Sequence, residues 1–287
     1  MQALATAHAG DTIILRGGTY RTLMTFQANR QCVLWLNKAI TLEAYPGETP
    51  VLTYDTIPTY DGADYGPIVY ASAKGAVMEG ITIVGTRAAG DSPGGGDLDC
   101  NVLVQNNQGV TLENCTIREA GHCGIKTLIG DVTITGCTFE DNGLNDARDH
   151  HGYFSSSGTV IIRNSTFRRA TAYGVHIYGA TPGGVVIEDC TITDNGTLGG
   201  TPNAGGGILL GGVGGHQLRR NTITNNRKYA GVVFWQGPSI GNVLEDNIIT
   251  GNMGVDVMLD HAIQPQIQSG NTVGTFGTNT DDAAWPQ

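Results

Sequence analysis

Apolar and polar residues alternate along this chain in short runs, and the runs recur in a fixed order. One phrase, an alternating apolar run followed by Cys-Thr-Ile or a close variant, occupies 109–117, 131–139, 159–167 and 184–192. It returns more loosely at 216–223 and 242–249. Equivalent positions hold Cys115, Cys137, Ser165, Cys190, Asn221 and Asn247, spaced about 22 to 31 residues apart as solenoid coils are. Period-two alternation is the signature of a strand, because successive side chains point to opposite faces. A second alternating run follows each phrase and opens on a glycine: Gly124, Gly152, Gly174, Gly207, Gly231 and Gly254. Each coil is therefore expected to contain these two pieces. The residue after each glycine (Ile125, Tyr153, Val175, Ile208, Val232, Val255) is expected to face inward. The next one (Lys126, Phe154, His176, Leu209, Val233, Asp256) is expected to face outward.

The recurrence predicts an all-β solenoid in which 1–287 form a single domain. A short helix near 3–9, ended by Gly10, would make residues 1–10 a cap over the open end of the stack. Residues 272–287 lack the repeat and are expected to form an irregular C-terminal tail. The stretches 54–65, 87–99, 143–148 and 196–204 are rich in Gly, Asp, Pro and Thr. They read as loops, which on a rigid stack commonly wall a groove.

Composition agrees with many short strands: 43 glycines, 15% charged and 7% aromatic residues suit tight turns better than a helical bundle. A net charge of −10 argues against nucleic acid as the main partner, because phosphate binding needs a basic surface. No apolar run reaches the roughly 18 residues of a membrane span. The first residues lack the basic segment and apolar core of a signal peptide; the protein is expected to be secreted, cell-surface or periplasmic, with any signal outside this sequence. Six cysteines occur without a CxxC pair. Three share the repeat column, and parallel stacked thiols suit core filling better than disulfides.

The opening Gly-Asp-Thr-Ile-Ile-Leu-Arg-Gly-Gly-Thr-Tyr at 10–20 and the recurring Asn-Cys-Thr-Ile, as at 114–117, resemble the pectate-lyase-like right-handed parallel β-helix superfamily. The likeness covers nearly the whole chain. It implies a right-handed parallel β-helix with a groove along one sheet face, usually acting on polysaccharide. Members include lyases, hydrolases, epimerases and phage depolymerases, so the fold alone leaves the reaction open.

Stacking the coils gathers titratable residues from distant sequence: Asp99, then His122 and Lys126, then Asp149, His150 and His151, then His176 and Tyr178. Strands about 4.8 Å apart spread four coils over roughly 15 Å. The densest stretch, Arg148 to Tyr153, offers histidines as general acid or base, with Asp149 to orient an imidazole or hold a cation. His176 and Tyr178, two residues apart, share a face, and Tyr178 can pass a proton to a glycosidic oxygen. Lys126 is a candidate base or carboxylate ligand. These five (His150, His151, His176, Tyr178, Lys126) are the expected catalytic residues. Asp149, Arg148, His122 and Tyr153, with Lys228, Tyr229 and Trp235 further along, are expected to bind substrate. Asp97 and Asp99 are candidate calcium ligands. Arg163, Arg168, Arg169, Arg219 and Arg220 interleave with Glu113, Glu188 and Glu245 and are expected to form ion pairs between coils.

Lys126-Thr127, Cys137-Thr-Phe139 and Arg148 ahead of His151-Gly152 are similar to the alginate and chondroitin lyases of this fold, although Arg148 stands four residues before the glycine where that family has arginine two before it. The resemblance implies β-elimination on an acidic polysaccharide, with groups to neutralise the uronate carboxylate, remove the C5 proton and protonate the leaving oxygen. Asp149-His-His echoes the Asp-Pro-His motif of the C5-epimerases, which need similar groups. Hydrolysis requires two suitably spaced carboxylates, and the inferred groove is poor in paired acids. A polysaccharide lyase is the leading expectation. A uronan epimerase, a glycoside hydrolase and a non-catalytic adhesin or carbohydrate-binding protein are the alternatives.

Overall fold

In a computed structural model the chain winds into a right-handed parallel β-helix of three ten-stranded sheets. The structure describes residues 2–279 except 28, 57, 59–65, 86–99, 106–108, 145–147, 156–157, 180–182, 198–204, 212–213, 236–240, 261–265 and 268. Most of the expected loops, and both Asp97 and Asp99, lie outside the described residues. The first sheet runs from Thr12–Leu15 to Gln266–Ile267, the second from Gly18–Tyr20 to Thr272–Val273, and the third from Leu34–Leu36 to Phe276–Asn279. Coil repeats therefore continue to Asn279, and the tail expected to start at 272 supplies two more strands. The N-terminal helix is short, Gln2–Thr6. Lys38 Nζ ties it down by donating to the carbonyls of Leu4 (2.9 Å) and Ala7 (2.7 Å).

Each coil has three strands, not two, because the repeated phrase contains a corner. In the coil Val110–Glu113, Thr116–Arg118, Cys123–Thr127, the chain turns at Asn114 and again at Glu119, both left-handed (φ 53° and 57°). The first corner recurs at Gly136, Asn164, Asp189, Arg220 and Asp246, with φ from 50° to 65°. Glycine, asparagine and aspartate tolerate this conformation best. Corner N–H groups stay paired: Asn114 donates to Thr135 O (2.9 Å) and Arg220 to Glu245 O (2.9 Å). Side chains at stacked corners pair as well, Arg169 with Asp141 (2.7 Å) and Arg220 with Asp189 (2.8 Å), so the basic residues on this flank serve cross-coil ion pairs.

Inward columns close the core: Leu112, Ile134, Ile162, Ile187, Leu218 and Leu244 from the first sheet, and Ile117, Phe139, Phe167, Ile192, Ile223 and Ile249 from the second. Cys115, Cys137 and Cys190 are buried free thiols in their column, as the pattern implies. The column ends in amides, with Asn221 Nδ2 donating to Asn247 Oδ1 (3.0 Å) and Asn247 Nδ2 to Asn271 Oδ1 (2.9 Å). A second amide ladder follows the other corner: Asn195 to Asn226 (2.9 Å), Asn226 to Asn252 (2.9 Å), and Asn252 to the Asp256 carboxylate (2.8 Å).

The third sheet corrects the register expected from the glycines. Ile125 pairs with Gly152, which pairs with Val175, and Lys126 pairs with Tyr153, which pairs with His176. Tyr153 therefore faces outward, and Phe154 lies wholly in the core. Gly152 makes room for it, since a Cβ there would stand 2.5 Å from the Phe154 ring. Near the end of the stack Val257, not Val255, continues the inward column. Asp256 is buried and caps the amide ladder instead of facing outward.

Candidate functional site

His151 owes its place to the column of residues that opens the third-sheet strands. Gly124, Gly174, Gly207 and Gly231 must be glycine there: an added Cβ would stand 2.9, 2.9, 3.0 and 2.5 Å from the Nδ2 of Asn142, Asn195, Asn226 and Asn252. His151 occupies the same column, where the following coil carries Ala170 in the asparagine position. Its ring turns into the core against Phe139 and Phe167, and its Nδ1 lies 2.8 Å from Asn142 Nδ2. The amide nitrogen can only donate, so Nδ1 is the acceptor. Burial lowers the His151 pKa to about 3. The residue expected to be catalytic is thus a neutral core histidine completing the ladder, on the opposite side of the sheet from the other candidates.

The remaining histidines meet on the outer face. His122 falls level with Asp149, not with His150, because Cys123 and His150 share a column. His122 Nδ1 lies 2.5 Å from Asp149 Oδ1, and Asp149 Oδ2 accepts the Leu144 N–H (2.8 Å). A carboxylate so held fixes the imidazole with its proton on Nδ1 and Nε2 turned away. Burial disfavours the imidazolium here, but the adjacent Cys123 and the Asp149 carboxylate outweigh it, and the His122 pKa lies well above the ordinary value.

His150 and His176 form a second pair of opposite character. His150 Nδ1 accepts the Tyr173 N–H (3.2 Å), and its Nε2 lies 2.9 Å from His176 Nδ1. Both are neutral: burial, then the neighbouring cationic groups, push His150 well below its ordinary value, and burial takes His176 to about 3. Beside them Lys126, Tyr153 and His176 stand in one outward column on three consecutive strands. Lys126 Nζ is 5.0 Å from the Tyr153 ring centre, and the His176 ring lies edge-on 4.9 Å from the same ring. Tyr178 completes the rim and is 43% exposed, with its ring perpendicular to His176 at 6.4 Å.

Apolar clusters enclose this polar group along the stack. Cys32, Tyr70, Cys100, Leu103 and Cys123 lie on one side, and Tyr173, Leu209, Ala230 and Val233 on the other. Lys126 itself is only 3% exposed. It forms the floor, while His122, Tyr153, His176 and Tyr178 retain exposure. Low-dielectric walls strengthen every charge interaction at such a floor.

The structure therefore brings together His122, Lys126, Asp149, His150, Tyr153, His176 and Tyr178. Arg148 is exposed, and its carbonyl accepts from Cys123 Sγ (3.5 Å). Tyr229 packs on the second apolar cluster, which includes Tyr173; Trp235 reaches the site through Tyr178, with ring centres 6.0 Å apart. Among the described residues no group of three or more His, Cys, Asp or Glu side chains is placed to hold a metal ion. Sequence reasoning missed Tyr173, which contributes a backbone N–H and a ring tilted 5.8 Å from His150. Its inclusion depends on register, which no local motif announces.

Residues 153–276 match the family described as right handed beta helix region, and residues 63–204 match that described as periplasmic copper-binding protein (NosD). No curated protein matches the sequence. Among solved structures, an alginate lyase from Paenibacillus sp. str. FPU-7 superposes with a TM-score of 0.61 at 14% identity, covering 97% of this chain and 94% of that one. A rhamnogalacturonan lyase gives 0.64 at 15% identity, over 100% and 83% of the two chains. The A-module of the Azotobacter vinelandii mannuronan C-5 epimerase gives 0.51 at 15% identity, over 94% and 80%. At 14–15% identity these likenesses are of fold alone: the chain is a right-handed parallel β-helix that superposes on these structures over nearly its full length.

Proposed function

We propose that this is a secreted or periplasmic carbohydrate-active enzyme that cleaves an acidic polysaccharide by β-elimination on the outer face of the third sheet. The observation that carries the reading is the single column Lys126–Tyr153–His176, which sets an ammonium, a phenol and an imidazole on adjacent strands. Lys126 and the His122 imidazolium supply the positive charge that stabilises a uronate carboxylate as it becomes enolate-like. Tyr153, under the field of Lys126, acts as phenolate and takes the C5 proton. The C4–O bond breaks as the C4–C5 double bond forms, and Tyr178 at the open rim gives its proton to the departing oxygen. Proton exchange with water then returns Tyr153 to phenolate and Tyr178 to phenol.

The alginate lyase and rhamnogalacturonan lyase that share the fold make uronate polymers the first substrates to try. The test is ultraviolet absorbance of the unsaturated product after mixing the protein with alginate, polygalacturonate, rhamnogalacturonan or chondroitin, with and without calcium. A rise with one polymer, lost in Tyr153→Phe, supports the reading. No rise with any of them overturns it. The same groups serve C5 epimerisation if the proton returns to the opposite face, which NMR would register as inverted uronate residues in a polymer of unchanged length.

A further inference from the structure

A backbone N–H can only donate. The Tyr173 N–H points at His150 Nδ1 (3.2 Å), so Nδ1 holds a lone pair, and a neutral His150 carries its proton on Nε2. That proton lies toward His176 Nδ1, 2.9 Å away. His176 Nδ1 is consequently an acceptor too, and the His176 proton is confined to Nε2. The burial that keeps both rings neutral preserves this order. At the end of the chain of bonds, His176 Nε2 is buried and has no hydrogen-bond partner among the described residues. A buried donor left unpaired costs free energy, and a ligand oxygen would relieve that cost.

We propose that the Tyr173 amide, acting through His150, locks His176 in the Nε2–H tautomer, so that His176 meets a saccharide as a fixed hydrogen-bond donor to oxygen and not as a base. His150 is then a positioning residue, buried behind His176 and set to orient it without touching the substrate. The assignment rests on the polysaccharide reading for the nature of the ligand, but the lock itself is a property of the free protein. It also narrows the chemistry. A ring that holds its proton on Nε2 and gives its Nδ1 lone pair to His150 cannot remove a proton, which leaves proton abstraction to the Lys126–Tyr153 end of the column.

The lock is tested by ¹⁵N NMR of the imidazole nitrogens in the free protein. Wild type is expected to show His176 protonated at Nε2 alone. His150→Phe keeps a ring but removes both nitrogens, so His176 should become a mixture of tautomers. His150→Gln places an amide NH2 near the former Nε2 and should restore the single tautomer, a rescue that a merely space-filling role would not produce. A wild-type His176 carrying its proton on Nδ1, or an unchanged tautomer in His150→Phe, overturns the lock. Trigalacturonate and trimannuronate are then titrated into the wild-type protein. A shift of the Nε2–H proton signal supports the donor role. Binding that leaves this signal unmoved, or no binding by either probe, overturns that role. If the lock holds while no polymer yields an unsaturated product, the elimination reading fails and the lock survives.

Discussion

His151 fits the glycine column because Ala170, in the next coil, leaves open the space that an asparagine amide fills elsewhere. Where Gly124, Gly174, Gly207 and Gly231 stand, the next coil carries Asn142, Asn195, Asn226 and Asn252. Each partner thus permits the other. Ala170→Asn is expected to destabilise the protein by about 1–3 kcal/mol through overpacking, measured by urea unfolding. His151→Gly in the same chain should recover much of the loss, giving a positive coupling in the double-mutant cycle. Additive losses would mean that the two residues do not share the space.

The His122–Asp149 pair gives a second expectation. Asp149→Asn removes the carboxylate that helps to hold the imidazolium, so the His122 pKa should fall, as read from its ring proton shifts across a pH titration. Because the folded pKa is raised in the wild type, the pair's stabilising effect is full below the ordinary histidine value of about 6.5 and fades as pH climbs through the folded value. A variant with an unchanged His122 titration would remove Asp149 from its orienting role.

Acid acts in the opposite sense on the buried rings. His151 and His176 have folded values of about 3, below the roughly 6.5 of an unfolded chain. The unfolded state therefore binds protons more readily, and stability present above about pH 6.5 drains away as pH falls toward 3. Urea midpoints should drop between about pH 7 and about pH 4. The slope should be shallower in the His151→Gly, Ala170→Asn double variant, which has one fewer neutral buried imidazole. An equal slope would show that His151 titrates freely in the folded protein.

For the proposed reaction, Lys126→Met and Tyr153→Phe should each lower turnover roughly 100-fold or more, with far-ultraviolet circular dichroism unchanged. Phe154→Ala should instead unfold the coil at a cost of about 3–5 kcal/mol, because that side chain lies in the core. Were Phe154→Ala stable and inactive while Tyr153→Phe kept its activity, the register of the third sheet would be wrong.

Much of the fold was legible because a repeated phrase reports a repeated environment. The Cys115, Cys137 and Cys190 column read correctly as buried, and the cross-coil pairing of Arg169 and Arg220 followed from charge alternation. The corners were hidden, since Glu119, Arg169 and Arg220 adopt left-handed backbone without being typical turn residues. The candidate site was legible in content and blurred in position. Treating Gly152 as the equivalent of Gly124 shifted one coil by a residue, which exchanged the faces of Tyr153 and Phe154. Among the adjacent residues Asp149, His150 and His151, which ring serves the core is decided by Ala170, nineteen residues further on and silent in any local pattern.

The amide ladders also give the stack an electrical direction. Asn195, Asn226 and Asn252 each pass one amide N–H toward the C-terminal coils, and their ladder stops at a group that accepts without donating. Asp256 is that group, taking bonds from Asn252 and from the N–H and hydroxyl of Thr275 (2.8 and 3.0 Å). A further coil bearing asparagine in that position would find no donor awaiting it. The carboxylate thus acts as a full stop written in hydrogen bonds: it ends this ladder before the last stacked strand, Phe276–Asn279, and gives the ladder's two ends different chemical identities.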